Sequence, residues 1–198
     1  MSPVKQLSLF DAPSPYRVNR SENHRFDQKG LMLWKERIFT YQQKIKDIQS
    51  PQQILLAIAP DLSTPDKPTP EQIDPFSLSY HSSLFWRQKV HEHSGEKQQG
   101  CLYFILDRTV PLLLYVGETK LTAHHRWRGT HDCKDYILRY LELHRRYQVE
   151  TAVVSAFYPL SLRKKELQTW EQALILKWRS PFNKECWQYW GQPFGKIA

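Results

Sequence analysis

Apolar positions recur with helical spacing early in the chain. Trp34, Ile38, Tyr41, Ile45 and Ile48 follow one another at steps of four, three, four and three, which predicts a helix over residues 29–48 with one apolar stripe. Ser50-Pro51 reads as the cap and first turn of a shorter helix over Gln52–Ala59. Residues 60–80 hold five prolines with Asp, Ser and Thr between them, and read as a connector that separates two halves. Ser83–His93 suits a further helix. Residues 1–25 are polar, punctuated by proline and aperiodic, the pattern of a flexible arm.

After residue 100 the pattern changes to short apolar runs. Leu102–Leu106 predicts a strand, Asp107-Arg-Thr-Val-Pro111 a turn and Leu112–Val116 a second strand, together a hairpin. Gly117-Glu-Thr-Lys then leads into a basic helix over about residues 121–129. A second helix, Asp135–Tyr147, places Tyr136, Tyr140, Leu141 and His144 on one side. Val149–Phe157 is a third strand. A last helix starts from an imperfect capping pattern at Ser161–Glu166, runs to Trp178 and is stopped by Pro181. The expected fold is α/β of the α+β kind. It is a small sandwich with a three-stranded, mainly antiparallel sheet in ββααβα order, plus a helical N-terminal region. The expected organisation is an arm over 1–25, a helical region and connector over 26–99, a compact domain over 100–185 and a tail over 186–198.

Composition narrows the class. The 198 residues are 40% hydrophobic and 13% aromatic, enough for one folded core. The longest apolar run, Val110–Val116, is far below the roughly 20 residues of a membrane span. The first residues lack the apolar core of a signal peptide, so a cytoplasmic setting without a membrane partner is expected. Three cysteines, Cys101, Cys133 and Cys186, form no C-x-x-C pair, which favours buried free thiols over a disulfide framework or zinc site. Charge adds a partner. The net charge is +8, and residues 100–198 carry 15 basic against 9 acidic groups. A basic surplus in the compact half suits a polyanion.

The candidate chemistry sits in that half. Tyr103, in Gly100-Cys-Leu-Tyr-Phe, and Tyr115, in Leu-Tyr-Val-Gly117, lie twelve residues apart across the hairpin and can share one face. Arg126 follows in His125-Arg-Trp127. Glu171 lies on the last helix, and Asn183 comes twelve residues later in Glu171-Gln-Ala-Leu-Ile-Leu-Lys-Trp-Arg-Ser-Pro-Phe-Asn183. Taken singly, each has a plainer reading: a packed tyrosine, a solvated arginine, a surface glutamate. As an ordered set they resemble the GIY-YIG nuclease family over residues 100–183, and the last helix is similar to the nuclease half of bacterial excision-repair endonucleases. The resemblance implies a phosphodiester hydrolase that uses Mg²⁺ or Mn²⁺. Tyr103, Tyr115, Arg126 and Glu171 would be catalytic, Glu171 would hold the metal, and His125, Arg128, Lys177 and Asn183 would contact DNA.

Residue chemistry suits that role. Arg126 offers a planar, permanently charged fork to phosphate oxygens. Mg²⁺ is held by few carboxylates plus waters. A tyrosine is a base only if its pKa falls from about 10, and a neighbouring cation would lower it; the sequence leaves open which tyrosine serves. Lys134, Arg139, Arg145 and Arg146 could follow the DNA backbone. His124, His125 and His131 lack metal-ligand spacing, so phosphate contact or a helix-end role is expected of them. Two departures from the family pattern point to an alternative. Cys101 stands at a signature glycine, and Glu118 follows Gly117, where it repels phosphate unless paired with Lys120 or Arg126. A weakly cutting module that binds branched DNA is that alternative, and a restriction or mobile-element nuclease is another.

The arm carries its own signal. Gln6-Leu-Ser-Leu-Phe10 resembles the pentapeptide with which bacterial proteins bind the DNA polymerase sliding clamp. The resemblance implies that Leu7, Leu9 and Phe10 enter an apolar cleft while Gln6 makes polar contacts. It adds the clamp to DNA as an expected partner, and DNA repair or processing near the nucleoid as the expected setting.

Overall fold

Gly100-Cys-Leu-Tyr-Phe-Ile-Leu-Asp107 is apolar at alternate and intervening positions alike, as suits a strand covered on both faces. In a computed structural model of the chain, which describes residues 27–47, 69–82, 100–120, 127 and 131–194, this run lies inside a four-stranded antiparallel sheet. The elements are α1 (Gln28–Asp47), β1 (Tyr80–Ser82), β2 (Gly100–Asp107), β3 (Leu112–Thr119), α2 (Asp132–Arg146), β4 (Val153–Leu160), α3 (Lys164–Trp178) and a single turn, α4 (Trp187–Trp190). The strand order is β1-β4-β2-β3, which corrects the expected three strands. The extra strand is the end of the proline-rich stretch. Its described part, residues 69–82, carries two 3₁₀ turns led by Pro70 and Pro75 and then pairs Tyr80, His81 and Ser82 with Ala156, Ser155 and Val154. The predicted short helices over 52–59, 83–93 and 121–129 lie outside the described residues.

Alternation along β2 divides the core. Leu102, Phe104 and Leu106 pack with Leu113, Val116, Leu174, Ile175 and Trp178 on the α3 side. Tyr103 and Ile105 pack with Leu31, Trp34, Ile38, Ile137 and Tyr140 on the side of α1 and α2. Residues 27–47 therefore share a core with residues 100–194. Helix α1 begins where Asp27 accepts the Gly30 amide at 2.6 Å. Helix α3 begins where the Glu166 carboxylate accepts the backbone N–H of Arg163 at 2.9 Å and pairs with its guanidinium. The β2–β3 hairpin carries a bulge: Ile105 faces Tyr115 and Leu106 faces Leu113, leaving Leu114 between them. The bulge turns two successive residues, Leu114 and Tyr115, toward the α1/α2 side.

Two polar arrangements tie distant segments together. Lys35, 2% exposed on α1, lies 3.0 Å from Asp107 Oδ2, which is itself fully buried at the end of β2. The Tyr140 hydroxyl donates to the same oxygen at 2.7 Å and Thr151 at 3.0 Å, while Thr109 and the Ala152 amide donate to Oδ1. Burial would raise the Asp107 pKa, but the Tyr140 and Thr109 hydrogen bonds and the Lys35 charge prevail and hold it at about 2. Lys35 also donates to His144 Nε2 at 2.9 Å, and His144 Nδ1–H donates to the Tyr140 carbonyl. Burial and the Lys35 charge together hold the His144 pKa below its usual value.

The second arrangement covers the outer edge of β3. The Gln42 side chain accepts from Leu113 N at 2.8 Å and donates to Leu113 O at 2.9 Å. The Phe182 amide donates to Leu114 O. Asn183 accepts from Val116 N and donates to Val116 O.

The three cysteines are free, Cys133 and Cys186 buried and Cys101 half-buried. Among the described residues no helix is long and apolar enough to cross a membrane.

Candidate active site beside the β2–β3 hairpin

Tyr103 faces Gly117 across the hairpin, and its ring lies over that glycine. A Cβ at position 117 would stand 2.3–2.6 Å from the Tyr103 ring and hydroxyl, so only glycine admits the tyrosine there. Tyr115, two pairs along, brings its ring centroid to 6.0 Å from that of Tyr103, and its hydroxyl hydrogen-bonds to Tyr103. Burial, and then the Tyr103 hydroxyl, Cys133 and Glu171, push the Tyr115 pKa far above the ordinary value. Tyr115 is therefore a neutral hydrogen-bond donor in the surroundings described. The Glu171 carboxylate on α3 is near enough to Tyr115 for its charge to act on the hydroxyl. Of the four residues expected to be catalytic, Tyr103 and Tyr115 come together, and Glu171 reaches them through its charge. The fourth, Arg126, lies outside the described residues, as do His125 and Arg128.

Two residues complete the cluster. Trp127, fully buried, sets its ring 5.7 Å from Tyr103 and 6.3 Å from Tyr115, and stacks on His131 at 4.4 Å. His131 caps α2: its Nδ1 accepts from the Cys133 amide at 3.3 Å, which leaves the proton on Nε2, 3.4 Å from the Tyr103 hydroxyl. The helix-end role expected for this group of histidines holds for His131. Its position at the tyrosines was not legible, because strand and loop meet there only in the fold. The signal available was an aromatic residue, Trp127, within an otherwise basic stretch.

Two residues expected to touch DNA have other tasks. Asn183 is buried, and its amide holds Val116 and accepts from Ser180 Oγ at 2.6 Å. Its spacing from Glu171 serves the sheet edge. Lys177 donates to the Glu71 carbonyl at 2.7 Å, fixing the first 3₁₀ turn to α3. Arg139 reaches the Phe194 carbonyl, whereas Arg145 and Arg146 are exposed. Glu118 stays distinct: Lys120, its nearest expected partner, donates instead to the Leu162 carbonyl, and Glu118 Oε2 is buried with no hydrogen-bond partner among the described residues.

No group of three or more His, Cys, Asp or Glu that could hold a metal ion occurs among the described residues. A half-buried single carboxylate such as Glu171 suits an ion that keeps most of its waters, as Mg²⁺ does, and not a fully protein-ligated one. Comparison with known proteins finds no match for this chain, whether among family models, curated proteins or solved structures.

Proposed function

We propose that the chain is a divalent-metal-dependent DNA endonuclease of the GIY-YIG kind. The observation that carries this reading is the meeting of Tyr103, Tyr115 and His131 beside the hairpin, within reach of the Glu171 charge. The finer topology supports it. The described elements of this half run hairpin, α2, β4, α3, which is compatible with the ββααβα order of that family.

In this reading Glu171 holds Mg²⁺ or Mn²⁺, which when bound neutralises charge on the scissile phosphate. Tyr115, kept protonated, donates. With Tyr115 kept protonated, Tyr103, whose oxygen lies 3.4 Å from His131 Nε2, is left as the base. Arg126, the chain neighbour of buried Trp127, supplies the fork for phosphate oxygens. Purified protein incubated with nicked, flapped, branched and plain duplex DNA tests the reading. Cleavage is expected with Mg²⁺ and none with a chelator. The orphan Glu118 oxygen favours one alternative, a module that binds branched DNA and cuts it poorly. Tight binding without metal-dependent product would establish that alternative.

The arm belongs to the same reading. Gln6, Leu7, Leu9 and Phe10, outside the described residues, would tether the enzyme to the bacterial sliding clamp, in the cytoplasm and at the nucleoid. An isolated 1–15 peptide is expected to bind the clamp with a micromolar Kd, about −8 kcal/mol. Replacing Leu9 and Phe10 by alanine removes about 1.5–3 kcal/mol of apolar burial at each. Calorimetry that finds equal binding by the doubly substituted peptide would reduce the pentapeptide to coincidence.

A further inference from the structure

Helix α3 ends on Arg179, a non-glycine residue in the left-handed region at φ 48°, ψ 52°. Glycine is the usual occupant of such a cap, and a side chain there is conformationally costly. The side chain retained at that cost is held between two aromatic rings. The guanidinium carbon lies 3.9 Å from the Tyr189 ring centroid and 4.5 Å from that of Tyr41. Beside this stack, the Arg37 guanidinium lies 5.9 Å from the Trp190 ring, and Trp190 meets Tyr41 edge-on at 5.9 Å.

A cation at a helix C-terminus ordinarily serves the free carbonyls there. These carbonyls already have other donors. Lys177 O accepts from the Tyr41 hydroxyl at 3.1 Å, Trp178 O from Gln42 Nε2 at 3.0 Å and Arg179 O from Trp190 Nε1 at 2.6 Å. The two ion pairs among the described residues, Lys35–Asp107 and Arg163–Glu166, leave Arg179 and Arg37 without a carboxylate. Arg179 hydrogen-bonds to the Tyr41 hydroxyl, and the rest of its planar fork has no acceptor among the described residues.

We infer that the Tyr41–Arg179–Tyr189 stack is a phosphate-binding station for the nucleic-acid backbone, with Arg37 as its second cation. Stacking fixes the plane of a guanidinium, which presents two parallel N–H groups to two phosphate oxygens without further ordering. The inference rests on the nuclease reading for its ligand, DNA. Its position suits that ligand. Arg179 lies eight residues, or about 12 Å of helix, beyond Glu171 on α3. At about 3.4 Å per nucleotide along a duplex, that is three to four phosphates from the cutting site.

The full-length chain is titrated with a short labelled DNA duplex over a salt series, followed by anisotropy, and the same preparations are assayed for Mg²⁺-dependent cleavage. Arg179→Gly suits the left-handed cap and removes the fork, so the fold is retained. It is expected to weaken binding several-fold at low salt and to reduce the log–log salt slope by about one. Arg179→Lys keeps the charge without the plane; it should preserve the slope but not the affinity. Wild-type affinity and slope in Arg179→Gly overturn the station, and cleavage by the wild type in that case leaves the nuclease reading intact. A reduced slope in Arg179→Gly with no cleavage by any form supports the station and removes the nuclease. Absence of DNA binding by the wild type overturns both.

Discussion

Glu171→Gln and Arg126→Ala are each expected to lose at least a hundredfold in DNA cleavage while the protein stays folded. Glu171 is half-buried and outside both apolar clusters, so exchanging its charge for an amide disturbs no packing. On the proposed reading what is lost is charge at the reacting phosphate, and removing one preorganised donor or countercharge typically costs about 10²–10³ in rate. The tyrosines should separate. Tyr103→Phe removes the oxygen on which Tyr115 and His131 converge and should reduce cleavage to the level of Glu171→Gln. Tyr115→Phe removes a donor and should keep more activity. Single-turnover nicking, with thermal melting as the control for folding, makes the comparison. Near-normal cutting by both phenylalanine variants would make the tyrosines packing residues and end the proposed mechanism.

Lys35→Met should be the most destabilising single change away from that site. It leaves the fully buried Asp107 carboxylate without its cation, a loss of about 3–5 kcal/mol. A domain of this size has about 5–15 kcal/mol in total. Urea unfolding should show a lower midpoint with an unchanged slope. The network also sets the pH response. The Asp107 pKa is about 2 in the fold against about 3.9 unfolded, so its contribution, about 2–3 kcal/mol, is complete above pH 4 and is lost as pH falls toward 2. His144 is held below its usual 6.5, so unfolded chains take up a proton first, and stability already declines as pH falls below about 6.5. Both acid steps should shrink in Lys35→Met, because Lys35 helps to depress both groups. A variant as stable as the wild type at neutral pH would show that the ion pair does not hold α1.

How much of this was legible in the sequence depends on the kind of signal. The hairpin, α2, α3 and α1 follow from apolar periodicity, and each element is found within a few residues of its expected place. Strand β1 was not legible. Three residues at the end of a proline-rich stretch carry no pattern of their own, and only pairing with β4 makes them a strand. The buried polar residues were hidden for a different reason. Lys35, Gln42 and Asn183 are residue types that pattern reading sends to solvent, and their partners lie 72, 71 and 67 positions away. The site itself was partly legible. The spacing of Tyr103 and Tyr115 across the hairpin pointed to one face, Glu171 entered only through the family resemblance, and the places of Trp127 and His131 depend on contacts made only in the fold.

The covered edge of β3 has a consequence during synthesis. An open strand edge is a template on which another chain can build, and here it is closed by side chains that behave as fragments of a missing neighbour. Gln42 leaves the ribosome before β3 exists. Phe182 and Asn183 follow only after β4 and α3 have emerged. Until then Leu114 and Val116 present unmet amides and carbonyls within an apolar strand, the condition under which nascent chains aggregate. The Phe182-Asn183 segment thus acts as a fastener closed only after all four strands have been made, and a ribosome stalled before Phe182 would leave the Leu114–Val116 part of that edge open.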